Sequence, residues 1–263
     1  MNPFAEIDVT PLYARDGMTS QGKSVRIADE SAQTGWEEIG VVSSNYLLVH
    51  NAKVKNVVDQ IAERSGITEW SPRKSFFDGR RFVYAITSDN ISAEVAPGDV
   101  VRFGLIAYNS YDGSRALSVG AYAEHLICGN GMTSETHFTR FSFRHHRGNI
   151  NWDEETTRAF NTIMPGSRGK LVRFAGTLSK LNRSELSTVN LKQLREDYLS
   201  DLSVNAWGKV VDRFLSHEKH NAFGLLDACT RVFWHNEKQS FGDYRNNSYV
   251  TDAMVDYSNK LNA

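Results

Sequence analysis

Apolar spacing divides the chain into a strand-patterned first part and a helix-patterned second part. Val41 to Val49 mixes β-branched and apolar residues and predicts a strand. Val54, Val57, Val58 and Ile61 fall at i, i+3, i+4 and i+7, the stripe of an amphipathic helix that Gly66 would end. Arg80 to Ile86 returns to strand character after Asp78-Gly79. Pro97-Gly98-Asp99 then leads into the clearest local signal. Val100 to Tyr108 and Ala116 to Cys128 read as two strands, joined through Asn109-Ser110-Tyr111-Asp112-Gly113-Ser114. Asp-Gly between β-type runs signals a hairpin, because glycine takes positive φ without a Cβ clash. Asn109, Asp112 and Ser114 are expected to fix the tip, around Gly113, through side-chain to backbone bonds. In Phe138 to Arg144, Phe141 and Phe143 alternate with Arg140, Ser142 and Arg144 across the two faces of a strand.

From Asp153 the period becomes helical. Phe160 and Ile163 face inward up to Pro165-Gly166. Three further stripes follow: Leu186, Val189, Leu194 and Tyr198; Val210, Val211, Phe214 and Leu215; Phe223, Leu226, Cys229, Val232 and Phe233. Strands first and helices after predict an α+β fold, with an antiparallel β-hairpin/meander core, a flanking helix and a helical C-terminal part. Residues 1–40 are turn-rich and weakly periodic, so an irregular N-terminal arm is expected there. Residues 41–263 are expected to form a single α+β domain, strand-rich over 41–150 and helical over 151–263.

Composition narrows the class. The 263 residues are 40% hydrophobic and 23% charged, which suits a folded chain needing no disulfide or metal. Apolar runs are too short to cross a bilayer, and the first residues lack the pattern of a signal peptide. Two cysteines, Cys128 and Cys229, suit a reducing compartment. A cytoplasmic protein without a membrane partner is the expectation. The net charge of -1 conceals a block: residues 140–195 carry a net +7, while 1–70, 71–139 and 196–263 carry -4, -1 and -3. Such a block points either to a polyanion partner or to neutralisation by acidic segments of the same fold.

Enzyme signatures are weak. Gly17-Met18-Thr19-Ser20-Gln21-Gly22-Lys23-Ser24 spells a phosphate-loop pattern, but no buried strand precedes it and no long helix follows. His125 and Cys128 share a His-x2-Cys spacing, with His137, His145 and His146 nearby, yet strand alternation puts the first two on opposite faces. No nucleophile elbow and no closely spaced carboxylate set is present. No cofactor, no metal and no catalytic residue is therefore expected.

The basic strand says more. Arg140 and Arg144 would lie about 13 Å apart on one face, comparable to two phosphate spacings of an extended single strand. Arg147, Arg168, Lys170 and Arg173 follow, and Arg80 and Arg81 stand on a neighbouring strand. Tyr108, Tyr111 and Tyr122, with Phe82 and Tyr84, interleave as aromatics. A positive groove beside stacking platforms is how proteins hold single strands without reading sequence. Arg140, Arg144, Arg147, Lys170, Arg173, Arg80 and Arg81 are the expected phosphate contacts. Tyr108, Tyr111 and His145 are expected to stack bases or line the groove.

The hairpin also carries a family resemblance. Pro97-Gly98-Asp99, Asn109 to Leu117, Ile127-Cys128-Gly129-Asn130-Gly131-Met132 and Arg144-His145-His146-Arg147-Gly148-Asn149-Ile150 resemble a phage/plasmid-like family catalogued as a domain of unknown function. Tyr111 stands where that family commonly has His, Arg147 looks like an addition, and Asn221 to Thr230 resembles its C-terminal helix. The likeness spans roughly residues 40–235. The strand-rich core followed by helices is similar to that of phage single-strand annealing recombinases, the Erf/Sak and Redβ/RecT types. That likeness implies an ATP-independent homo-oligomer, ring or filament, that lays single-stranded DNA in a basic groove with bases outward so that complementary strands anneal. The alternatives are a nucleotide- or metal-dependent nucleic-acid enzyme, and a phage protein that binds and inhibits a host protein.

Overall fold

The computed structural model describes residues 2–13, 20–126, 129–134, 137–143, 150–216, 219–235 and 240–261. Three antiparallel strands open the chain in the order β1 (Ile7–Tyr13), β2 (Ser20–Ala28) and β3 (Trp36–Val42). Val25 and Ile27 of β2, with Ile39 and Val42 of β3, pack into one apolar cluster around Tyr111. The irregular arm expected here is thus corrected. The alternation in β2 is genuine, but the residue that covers its apolar face lies far along the chain. The strand expected over Val41–Val49 also shifts: pairing stops at Val42, and 43–50 carry no regular structure.

Helix α1 (Asn51–Arg64) buries Val54, Val57, Val58 and Ile61 as its stripe predicts, and Gly66 follows it at φ +66°. His50 supplies no side-chain cap; the Asn51 N–H donates instead to the Tyr111 phenol oxygen at 3.0 Å. Next come β4 (Trp70–Phe77), β5 (Arg81–Ala96), β6 (Asp99–Ser110), β7 (Ser118–His125), β8 (Asn130–Met132) and β9 (Arg140–Ser142). They form a six-stranded sheet ordered β4-β5-β6-β7-β8. β8 pairs antiparallel with Ala123–His125 at one end of β7, and β9 pairs antiparallel with Ser118–Gly120 at the other.

Helices follow: α2 (Trp152–Ile163), α3 (Ser167–Arg183), α4 (Thr188–Asp197), α5 (Val204–Leu215), α6 (Ala222–Trp234) and α7 (Phe241–Lys260). The fold is α+β. In α2 the inward residues are Thr156, Ala159 and Ile163, with Phe160 only half-buried. α3 and α7 were not anticipated. Leu171, Phe174, Leu178 and Leu181 give α3 a buried stripe at helical spacing. In α4 only Leu194 is buried, and Val189 is exposed.

The chain divides into two compact units. One comprises Met1–Ile86, Leu105–Gly120 and Arg140–Pro165; the other comprises Thr87–Gly104, Ala121–Thr139 and Gly166–Ala263. Strands β5, β6 and β7 therefore each contribute residues to both, and the division does not follow the strand-rich and helical halves. In the first unit α2 packs on α1 and β9. In the second, α6 is buried along nearly its whole length, with α3, α5, α7 and β8 packed on it. Among the described residues no helix is long and apolar enough to cross a membrane.

Candidate nucleic-acid interface

In the first unit the hairpin tip gathers cations. Asp112 Oδ1 accepts the Ser114 N–H at 2.9 Å and Gly113 sits at φ +71°, the side-chain-stabilised turn that Asp-Gly predicts. Ser114 Oγ accepts from Arg81 Nε at 3.1 Å, and the Arg80 carbonyl accepts the Tyr111 N–H at 2.7 Å. These bonds hold Arg80 and Arg81 against the tip. Arg115 and Arg140 lie over the Tyr108 ring, 4.8 and 5.4 Å from its centroid. Arg80, Arg81, Arg115 and Arg140 thus collect around the hairpin end, Arg115 being a cation of the tip motif itself. Asn109 plays another part than expected. It is buried and donates to the Val49 carbonyl at 2.8 Å and to Asn51 Oδ1 at 2.9 Å, tying β6 to the start of α1 instead of shaping the tip.

The stacking residues require correction. Tyr108 and Tyr111 are 2% and 1% exposed, so neither offers a ring to a base. Tyr108 is covered by two guanidinium groups. Tyr111 belongs to the apolar cluster under the three-stranded sheet, with Phe77 edge-on at 5.9 Å. Tyr122, Phe82 and Tyr84 are buried too. A strand aromatic can face core or solvent, and burying such a ring stabilises by about 1.5–3 kcal/mol. Arg144, His145 and Arg147, with His146 and Cys128, lie outside the described residues.

Lys170 and Arg173 belong to the second unit and stand on a helix, not on an extension of the basic strand. α3 carries Arg168, Lys170, Arg173, Lys180 and Arg183 and no carboxylate. Gly169, Val172, Arg173, Gly176, Lys180 and Arg183 are all exposed and recur at three- and four-residue spacing, so they form one solvent face. A Cβ added at Gly176 would meet nothing within 4 Å, leaving the centre of that face low. The helix start is at odds with its own electrostatics. Gly166 at φ +68° gives no side-chain cap, the first turn has no acidic residue, and Arg168 and Lys170 stand beside the positive end of the dipole. α2 shows the ordinary pattern, with an Asn151 cap and Asp153, Glu154 and Glu155 in its first turn. Burial, and then the Arg173 charge, lower the pKa of Lys170; its ammonium donates to Thr139 Oγ1 at 3.0 Å. Lys180 and Arg183 were missed in the sequence. The apolar period of α3 was the signal that would have shown them sharing a face with Arg173.

Sequence reasoning also missed a buried charge network in the second unit. His125 Nε2 bonds Asp99 Oδ1, and its Nδ1 lies 3.2 Å from Asp227 Oδ1. Lys219 Nζ donates to Asp99 Oδ2 at 3.0 Å, and Asn130 Nδ2 donates to Asp227 Oδ1 at 2.8 Å. Both ring nitrogens are engaged by carboxylates, so the imidazole is set up as a structural cation. Among the described residues no group of three or more His, Cys, Asp or Glu side chains is placed to hold a metal ion. Of the phosphate-loop-like string, residues 17–19 lie outside the described residues. Gly22-Lys23-Ser24 sits within β2, paired to β1 and β3, and Lys23 Nζ donates to the Tyr46 carbonyl at 3.3 Å. A phosphate loop needs those residues to open a helix. Strand geometry does not provide that.

A family model described as Domain of unknown function (DUF932) matches residues 38–252. No curated protein and no solved structure matches the chain.

Proposed function

The chain belongs to this family of unknown function, and we propose that it binds single-stranded DNA through phosphate contacts and promotes ATP-independent annealing of complementary strands. The observation that carries the reading is the exposed face of α3, with five cations on the helix and no carboxylate. Arg168 and Lys170 stand at an uncapped helix start, an arrangement that a polyanion relieves. The second support is the cationic hairpin end with Arg80, Arg81, Arg115 and Arg140.

Burial of Tyr108 and Tyr111 shapes the mode of binding. With those two rings withdrawn from solvent, the proposed grip rests on phosphate contacts, which leave base edges free to pair. A relationship to phage annealing recombinases of the Erf/Sak and Redβ/RecT types is part of the same proposal. A helix of 17 residues is about 25 Å long, so one copy follows only a few nucleotides. Several copies in a ring or filament would extend the track. The test is a mixing assay with two complementary labelled oligonucleotides and no ATP. Annealing should accelerate with protein concentration, and the acceleration should largely disappear when Arg173, Lys180 and Arg183 are replaced together by Ala. Rates matching the protein-free control at every concentration would refute the proposal.

A further inference from the structure

In the second unit α5 and α6 line an open, shallow pocket of about 290 Å³ whose described residues are Lys209, Arg213, Arg231, Val232 and His235. Lys209 and Arg213 stand one turn apart on α5. Arg231 and His235 stand one turn apart at the end of α6. Lys209 and Arg213 repel at that spacing, and the one acid on α5 is Asp212, at i+3 from Lys209. Among the described residues the lining holds no carboxylate. Asp227, one turn before Arg231, is turned to His125 and Asn130 instead. Among the described residues the Nε–H of Arg213 is buried with no hydrogen-bond partner, although buried donors are nearly always paired.

The geometry points to a binding site for a phosphate monoester. Such a group carries close to two negative charges near neutral pH and presents acceptors in several directions. Two guanidinium groups can each grip it through paired N–H donors while Lys209 adds a point charge. A carboxylate would answer only one of the cations. The volume is at the small end of ligand pockets, suited to the phosphate and the small group that bears it, with Val232 the apolar side chain among the described lining residues. This site is independent of the annealing reading.

The test is a calorimetric titration of the full chain with inorganic phosphate, in a phosphate- and sulfate-free buffer at fixed ionic strength. Saturable binding is expected, with Lys209→Gln and Arg231→Gln each weakening it roughly tenfold or more, the loss of one charged hydrogen bond. Both positions are exposed, so circular dichroism of the two variants should match the parent. Heats no larger than those of a potassium chloride control, or variants that bind phosphate like the parent, would overturn the assignment. A second arm compares 5′-phosphorylated with 5′-hydroxyl oligonucleotides. A preference for the phosphorylated strand that Arg231→Gln abolishes identifies the ligand as a strand end. Equal binding, with phosphate titration intact, identifies it as a small free phosphate compound. Because the first titration contains no DNA, its failure would leave the α3 proposal standing.

Discussion

Replacing His125 by Gln removes the positive charge at the centre of a buried carboxylate pair, and the surrounding distances set what that costs. His125 Nδ1 lies 3.2 Å from Asp227 Oδ1, its Nε2 bonds Asp99 Oδ1, and the three side chains are 4% exposed or less. At an effective dielectric near 20, an ion pair at that separation is worth about 5 kcal/mol before desolvation is charged against it. Removing one member of a buried pair costs roughly 3–5 kcal/mol. Two compensations survive in the variant, the Lys219 bond to Asp99 and the Asn130 bond to Asp227, so a loss of about 3 kcal/mol is expected. The pH dependence has the same origin. Burial pushes the imidazole pKa down, but the Asp227 hydrogen bond and the charge and hydrogen bond of Asp99 outweigh it and hold it above 6.5. A group whose folded pKa is raised contributes fully below its unfolded pKa and loses that contribution as pH rises through the folded value. Urea unfolding from about pH 6 to pH 9 reads both effects. The wild-type midpoint should fall with rising pH above about 6.5, and His125→Gln should start lower and lack that part of the fall. A variant within about 1 kcal/mol of wild type, or a wild-type midpoint that stays flat or rises over the range, would refute a charged His125.

Tyr111→Phe keeps the ring but strips the Asn51 N–H of its acceptor. A loss of about 1–3 kcal/mol should follow, visible as a lowered melting temperature, and an unchanged one would contradict the capping role. At Gly131 an added Cβ would sit 2.4 Å from the Trp234 ring, so Gly131→Ala should destabilise by at least ~1–3 kcal/mol and alter the near-ultraviolet dichroism. Retention of both the wild-type spectrum and midpoint would show that the tryptophan is free to move. Burial pushes the Cys229 thiol well above its ordinary pKa. In a Cys128→Ser background it should resist a thiol reagent until denaturant is added, and rapid native labelling would contradict its place in the core.

What could be read from the sequence is what is built locally. The α1 stripe from Val54 to Ile61, the Asp112-Gly113 turn and the inward Phe143 beside the outward Ser142 all follow from periodicity or turn chemistry within a few residues. The errors share a cause at longer range. β2 pairs a short apolar alternation with a cover that comes from Tyr111, so the N-terminal segment looked irregular until its partner was in place. Tyr108 and Tyr111 satisfy strand alternation whether they face core or solvent, and only the packing around them decides. α3 interleaves its cations with the Leu171, Phe174, Leu178 and Leu181 stripe, so that its helical period is interrupted by charge. The His125 network joins residues 26 and 102 positions apart, a separation that no spacing rule spans.

Salt dependence of single-stranded DNA binding tests the central claim most directly, because it counts the phosphates that the cations neutralise. Each contact on a single strand adds about -0.7 to the slope of log affinity against log salt, so the α3 cations alone should give about -3.5. Fluorescence anisotropy with a labelled oligonucleotide should therefore show affinity falling at least a hundredfold, roughly, between 50 and 200 mM salt. The Arg173→Ala, Lys180→Ala, Arg183→Ala variant should lose about 2 from the slope, equally on unrelated sequences. A flat salt response, or a slope that the triple variant leaves unchanged, would contradict the account.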